Sequence, residues 1–215
     1  MAISDLIANL QHPDPKVRSA TIEQLVRVGT ESAAGALVFL LADPEPEIRV
    51  KAKEALTALG KAAIEPVIRY LANWEGSIGT VIPELLGDLG AQAGVDILLK
   101  HLSEKEEEVR AAIARALGKI GTEKVLPGLL ELLRDFNPKV QIAAAEALGE
   151  LGFSEAVNPL IDELQDDNPA VRRAAAAALG KIGDKSAALF LSQLSAKENI
   201  LDVRQAAEKA LEEIS

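Results

Sequence analysis

The 215-residue chain contains no cysteine, two histidines, one tryptophan, one tyrosine and four phenylalanines. The missing thiols exclude disulfides and thiolate metal sites. His12 precedes Pro13 and His101 precedes Leu102, and neither has a ligand at helical spacing, so no metal is expected. Aromatic residues make up 3% of the chain and hydrophobic residues 48%. The core must therefore be built from alanine and branched aliphatics, which suits thin, closely packed helices and leaves no case for a strand-rich fold. No apolar run approaches the ~20 residues of a membrane span. Basic charge is in deficit, with a formal net charge of −10, which argues against a nucleic-acid or anionic-membrane partner. The opening MAISDLIANLQHPDP has no basic segment ahead of an apolar one, so a cytosolic protein without a leader is expected.

What the chain has in abundance is one recurring unit, clearest in NPAVRRAAAAALGKIG from Asn168 to Gly183. Asn168 is suited to cap a helix and Pro169 to open it. Val171, Ala174, Ala175, Ala178, Leu179 and Ile182 recur at three- and four-residue steps, and Gly183 ends the helix. The first apolar anchor returns at Val17, Ile48, Ile78, Val109, Val140, Val171 and Val203, in steps of 31, 30, 31, 31, 31 and 32 residues. So constant a period predicts a solenoid, in which each unit buries its apolar face against its neighbours. The spacing predicts a single all-α domain over 1–215, with about seven helical hairpins at 1–29, 30–60, 61–90, 91–121, 122–152, 153–183 and 184–215.

The first and last units depart from the pattern as caps would. Thr21 and Gln24 fall where later repeats carry alanine, and the last repeat gains one residue and ends in the polar stretch Glu208–Ser215. Repeat three is the most irregular, with Gly79 where most repeats have arginine, Pro83 inside the expected second helix, and the lone Tyr70 and Trp74. An interior proline costs roughly 3 kcal/mol, so a kink or a late helix start is expected. Trp74 either plugs a gap left by the glycines or marks a bend that shapes a binding surface. Gly87, Gly118, Gly149 and Gly180 each lie one turn before a terminal glycine. An interior glycine costs up to about 1 kcal/mol relative to alanine, which close approach of a neighbouring helix would offset.

The [Asp/Asn/Glu]-Pro-x-[Val/Ile]-Arg openings and Ala-Leu-Gly-x-Ile-Gly endings resemble HEAT-like repeats of the phycobilisome-lyase type over essentially the whole chain. The resemblance implies a right-handed superhelix of antiparallel helix pairs with the second helices on the concave side. Among functions it implies a protein-binding scaffold acting on phycobiliprotein subunits. The alternative it implies is a bilin-lyase subunit that handles an open-chain bilin transiently and pairs with a second HEAT-repeat subunit as a heterodimer.

Arg18, Arg49, Arg110, Arg172 and Arg204 share one register, as do the caps Asp14, Glu45, Glu75, Glu106, Asn137 and Asn168. A ladder of charge-assisted hydrogen bonds along the stack accounts for both; a row of arginines for phosphate or carboxylate is the alternative, weakened by Gly79 and Gln141 in mid-row. No spacing singles out a catalytic acid or nucleophile. The positions two and five residues after each anchor are expected to face the concave side. Around repeats three to five they offer small or apolar residues as a partner-binding surface, namely Thr80, Pro83, Ala111, Ala114, Ile142 and Ala145, with Trp74 nearby. Lys53, Arg115 and Arg173 flank it and could orient an acidic protein or a bilin propionate.

Overall fold

A computed structural model describes residues 2–72 and 79–215. Its helices are α1 Ile3–Asn9, α2 Pro15–Val28, α3 Glu31–Val38, α4 Pro46–Leu59, α5 Lys61–Ala72, α6 Val81–Asp88 and α7 Val95–Lys100. They continue with α8 Glu107–Ile120, α9 Leu126–Leu133, α10 Pro138–Leu151, α11 Val157–Glu163, α12 Pro169–Ile182, α13 Ala188–Lys197 and α14 Leu201–Ile214. No strand occurs among the described residues, and the all-α repeat class expected from the periodicity is the one observed.

The local chemistry explains the boundaries. Asp14, Asn137 and Asn168 each accept the backbone N–H two residues on, and proline opens the helix that follows. Gly29, Gly121, Gly152 and Gly183 end α2, α8, α10 and α12 in the left-handed conformation. In repeat three the helix starts late. Gly79 has φ +59° in a turn, and α6 begins at Val81, which puts Pro83 in its first turn, where a backbone N–H has no helical acceptor to lose. The late start, and no kink, is how the chain accommodates this proline. Trp74 lies outside the described residues.

Contacts group the chain into two compact units, one reaching to Ile97 and the other spanning Leu98–Ser215. In the first, α2 packs on α4 and α4 on α6, while α3 packs on α5. In the second, α8, α10, α12 and α14 pack each on the next, and α9, α11 and α13 each cover the second helix of their own repeat. Leu117, Leu129, Leu148 and Leu179 are fully buried between these layers.

The second helices meet at close quarters. A Cβ built on Gly118 would lie 2.7 Å from Ala147 Cβ, one on Gly149 would lie 2.6 Å from Ala178 Cα, and one on Gly180 would lie 2.8 Å from Ala210 Cα. These glycines are thus required by the seam. Repeat seven carries polar residues at two of the recurring positions. Where Leu99, Leu130 and Ile161 stand in successive first helices, repeat seven has Ser192, and where Gly118, Gly149 and Gly180 stand, it has the exposed Glu212.

Replacing Gly149 by alanine should therefore destabilise despite alanine's better helix propensity. The backbone of Ala178 cannot move aside as a flexible side chain would, and overpacking of this kind costs about 1–3 kcal/mol. Chemical denaturation should show a lower midpoint, and an unchanged or higher one would mean that the seam can open without cost.

Candidate functional site

The arginine register forms joints between repeats. Arg18 donates from Nε and Nη2 to the Asp43 carboxylate at 2.9 and 2.8 Å, and from Nη1 to the carbonyls of His12 and Pro13 at 2.8 and 3.1 Å. Arg110 repeats the arrangement on Asp135 at 2.6 and 2.9 Å and on the carbonyls of Glu104 and Lys105. Arg172 donates to Glu198 at 2.8 Å and to the carbonyls of Asp166 and Asp167. Each guanidinium thus ties its own interhelix loop to the carboxylate of the following repeat. Arg49 and Arg204 hold to their own loops, on the carbonyls of Asp43 and Pro44 and of Glu198 respectively.

The partners differ from the expected ones. The arginines bind Asp43, Asp135 and Glu198, two residues ahead of the cap positions, because cap side chains such as Asn137 turn back onto their own helix. The same carboxylates accept the N–H of the cap residue, from Glu45 at 2.9 Å, Asn137 at 2.8 Å and Ile200 at 3.0 Å. Arg110 and Asp135 are almost wholly shielded, and the Phe136 ring lies 4.6 Å from the guanidinium carbon. Hydrogen bonding from Arg172, then from the Ile200 N–H, holds the Glu198 carboxyl below the usual range. In repeat five Gln141 replaces arginine, its Nε2 at 3.3 Å from both Glu163 and Asp166. Burial first, and then the charges of Asp166 and Asp162, push the Glu163 carboxyl up, against the pull of Arg134. The histidines serve the same loops: His12 Nδ1 accepts the Asp14 N–H, and His101 Nδ1 lies 2.8 Å from Glu104 Oε1.

The residues expected to form a concave docking face are not together on an accessible surface. Ala111, Ala114 and Ala145 are 3%, 0% and 0% exposed, and Pro83 is buried. Thr80 and Ile142 are half-buried, and Lys53 is engaged by Glu84 at 2.5 Å. Arg115 and Arg173 alone of the described members of the set are exposed, and Trp74 is outside the described residues. The physical reason is the two-sided seam. A second helix flanked on both sides by its neighbours keeps only a narrow arc open, so the position five after the anchor turns into the next helix. The open ridge of the 98–215 unit runs through Arg115, Glu146, Ala177 and Lys209, six after each anchor, and Lys119, Glu150, Lys181 and Glu213, ten after. Over α10, α12 and α14 this ridge borders a trench of about 660 Å³ floored by Ala174, Ala177, Ala206 and Ala210.

A second concavity, of about 710 Å³, lies on the first helices of the other unit, between α3 with the following turn Phe39–Ala42 and α5. Gly35, Val38, Ala42 and Pro66 line it, and nothing lies within 4 Å of a Cβ built on Gly35. Phe39, 69% exposed, meets Tyr70 edge to face with ring centroids 5.6 Å apart. Partial burial raises the Tyr70 phenol above its ordinary pKa of 10.0, and the Glu31–Arg69 ion pair borders the groove. The expected surface missed this groove, although one signal for it was in the sequence: Phe39 and Tyr70 are one 31-residue period apart, as are Gly35 and Pro66.

Two expectations follow from the joints. Arg110→Ala would strand the shielded Asp135 and should cost roughly 3 kcal/mol or more. Gln141→Arg should instead stabilise by about 1–2 kcal/mol and so raise the denaturation midpoint, by supplying the charge that Asp166 and Glu163 lack. A midpoint unmoved in both variants would show the register to be ornamental. A third expectation concerns pH. The Glu198 pKa is lowered on folding, so its contribution is complete above the ordinary glutamate value of 4.5 and lost as pH falls through the lowered folded value. The melting temperature should drop across that interval, and the drop should be smaller in Arg172→Ala; equal acid sensitivity in the two proteins would contradict the assignment.

Fold and joints can be set beside known proteins. An engineered protein of known structure is similar, with a TM-score of 0.59 at 20% identity, covering 100% of this chain and 68% of its own. The Escherichia coli protein YibA is similar with a TM-score of 0.55 at 18% identity, covering 99% of this chain and 93% of its own. A chain from the complex of CpcE and CpcF of phycocyanin lyase from Nostoc has a TM-score of 0.51 at 23% identity, covering 100% and 95%. At these identities the shared property is the fold. No curated protein sequence matches the chain. No helix among the described residues is long and apolar enough to cross a membrane. The model of HEAT repeats matches residues 3–78, 80–135 and 126–212, and the chain therefore belongs to the HEAT-repeat family.

Proposed function

We propose that this protein is a non-catalytic scaffold that binds another protein, and that the groove between α3 and α5 is the contact. The observation that carries this reading is the pairing of an open apolar floor at Gly35, Val38, Ala42 and Pro66 with the exposed Phe39 beside Tyr70. Aromatic side chains dominate the binding energy of protein interfaces, and a floor of small residues admits a bulky side chain of the partner. The Glu31–Arg69 pair borders the groove with one charge of each sign, which suits orientation of a segment that is apolar at its centre and polar at its edge.

Phycobiliprotein subunits are the first partner class to test. The reading is supported by the resemblance of the repeat openings and endings to the phycobilisome-lyase type and by the fold likeness to the CpcE–CpcF complex. That complex also makes a second HEAT-repeat subunit a candidate partner. Purified phycocyanin subunits titrated into the full chain, followed by bilin fluorescence and calorimetry, should bind saturably. The affinity should fall at least tenfold in Phe39→Ser, with circular dichroism and melting close to wild type. Binding unchanged in that variant would remove the groove as the contact; absence of binding by every phycobiliprotein subunit would remove the partner class.

A further inference from the structure

Three successive second helices of the 98–215 unit carry exposed charge of alternating sign, at the ridge positions of α8 and α10 and, on α12, at the ridge position Lys181 and two turns before it at Arg173. Arg115 and Lys119 stand on α8, Glu146 and Glu150 on α10, Arg173 and Lys181 on α12. The bands are one helix apart, which for packed helices is about 8–10 Å. On α12, Ala174 and Ala177 floor the trench beside Arg173, so a peptide backbone can approach that helix closely. Lys181 Nζ is 3.8 Å from Glu150 Oε1, with side chains 49% and 63% exposed, and a surface pair of this kind contributes little to stability.

We infer that this face binds an extended peptide segment of a partner protein whose charged residues run acidic, basic, acidic at intervals of three. An extended chain advances about 3.3 Å per residue, so three residues match one helix spacing. The first acid meets Arg115 and Lys119, the base meets Glu146 and Glu150, and the second acid meets Arg173 and Lys181. The banding excludes as well as attracts. A uniformly acidic segment is repelled at α10 and a uniformly basic one at α8 and α12, so the order of charges selects the ligand. This site is separate from the groove lined by Phe39 and Tyr70 and stands whether or not that groove binds a partner.

The test uses the full chain and fluorescein-labelled synthetic peptides read by anisotropy. One peptide has Glu, Lys and Glu at three-residue intervals in a Gly-Ser background, and its control has the same composition ordered Glu, Glu, Lys. The ordered peptide should bind at least tenfold more tightly than the control, with affinity that falls as salt is raised. In the double variant Glu146→Lys, Glu150→Lys the preference should pass to a Glu, Glu, Glu peptide, while Phe39→Ser should leave binding of the ordered peptide unchanged. Equal affinity for the ordered peptide and its control would overturn the inference, and so would a preference that survives the double variant. Should the double variant melt below wild type, Arg173→Glu with Lys181→Glu decides instead: loss of the ordered preference supports the site, and retention overturns it.

Discussion

The approach of one second helix to the next is the constraint on which the 98–215 unit depends. Gly118, Gly149 and Gly180 let Ala147, Ala178 and Ala210 come within distances that a Cβ would forbid. A thin seam keeps each hairpin narrow, and a narrow hairpin exposes much surface for its volume. The alanine-rich composition and the near absence of aromatics follow from that geometry, since bulkier side chains would wedge the helices apart.

Close packing on both flanks leaves the polar groups of the interhelix loops to be satisfied at the rim. The arginine joints do this with one side chain. Arg18, Arg110 and Arg172 each collect two carbonyls from their own loop and a carboxylate from the next repeat. The carboxylate then fixes the N–H of the helix it precedes. A guanidinium suits the role because its planar fork of donors serves carbonyl and carboxylate together. Gln141 shows what the register loses without it, with two carboxylates sharing one neutral amide and Glu163 held less ready to ionise.

The same constraint divides the accessible surface by chemistry. Second helices in the 98–215 unit keep a charged ridge over an alanine floor, because only a narrow arc escapes the seam. First helices in the other unit pack side by side, so that Phe39 and Tyr70 stand one period apart over Gly35 and Pro66. Neither surface groups a metal-binding set of His, Cys, Asp or Glu among the described residues. Both histidines are spent on loop carboxylate and backbone contacts.

The sequence by itself determined the repeat. Its period and the arginine register are periodic, and the capping Asp14, Asn137 and Asn168 and the closing glycines are local, each acting within a turn of where it stands. The disturbance at Pro83 was legible for the same reason, as was the need for close contact at the interior glycines. Tertiary structure alone decided which alanines remain open. Ala114 and Ala177 belong to similar helices and the same residue type, yet the first is buried in the seam and the second lines the trench, because they differ by one position relative to their anchors. The carboxylates that Arg18, Arg110 and Arg172 bind recur with the period, as Asp43, Asp135 and Glu198 two residues before a cap, but that they and not the cap side chains meet the arginines was decided by where the next loop passes. The groove at Phe39 and Tyr70 left only its 31-residue spacing in the sequence, since it forms when the first helices of two repeats lie side by side.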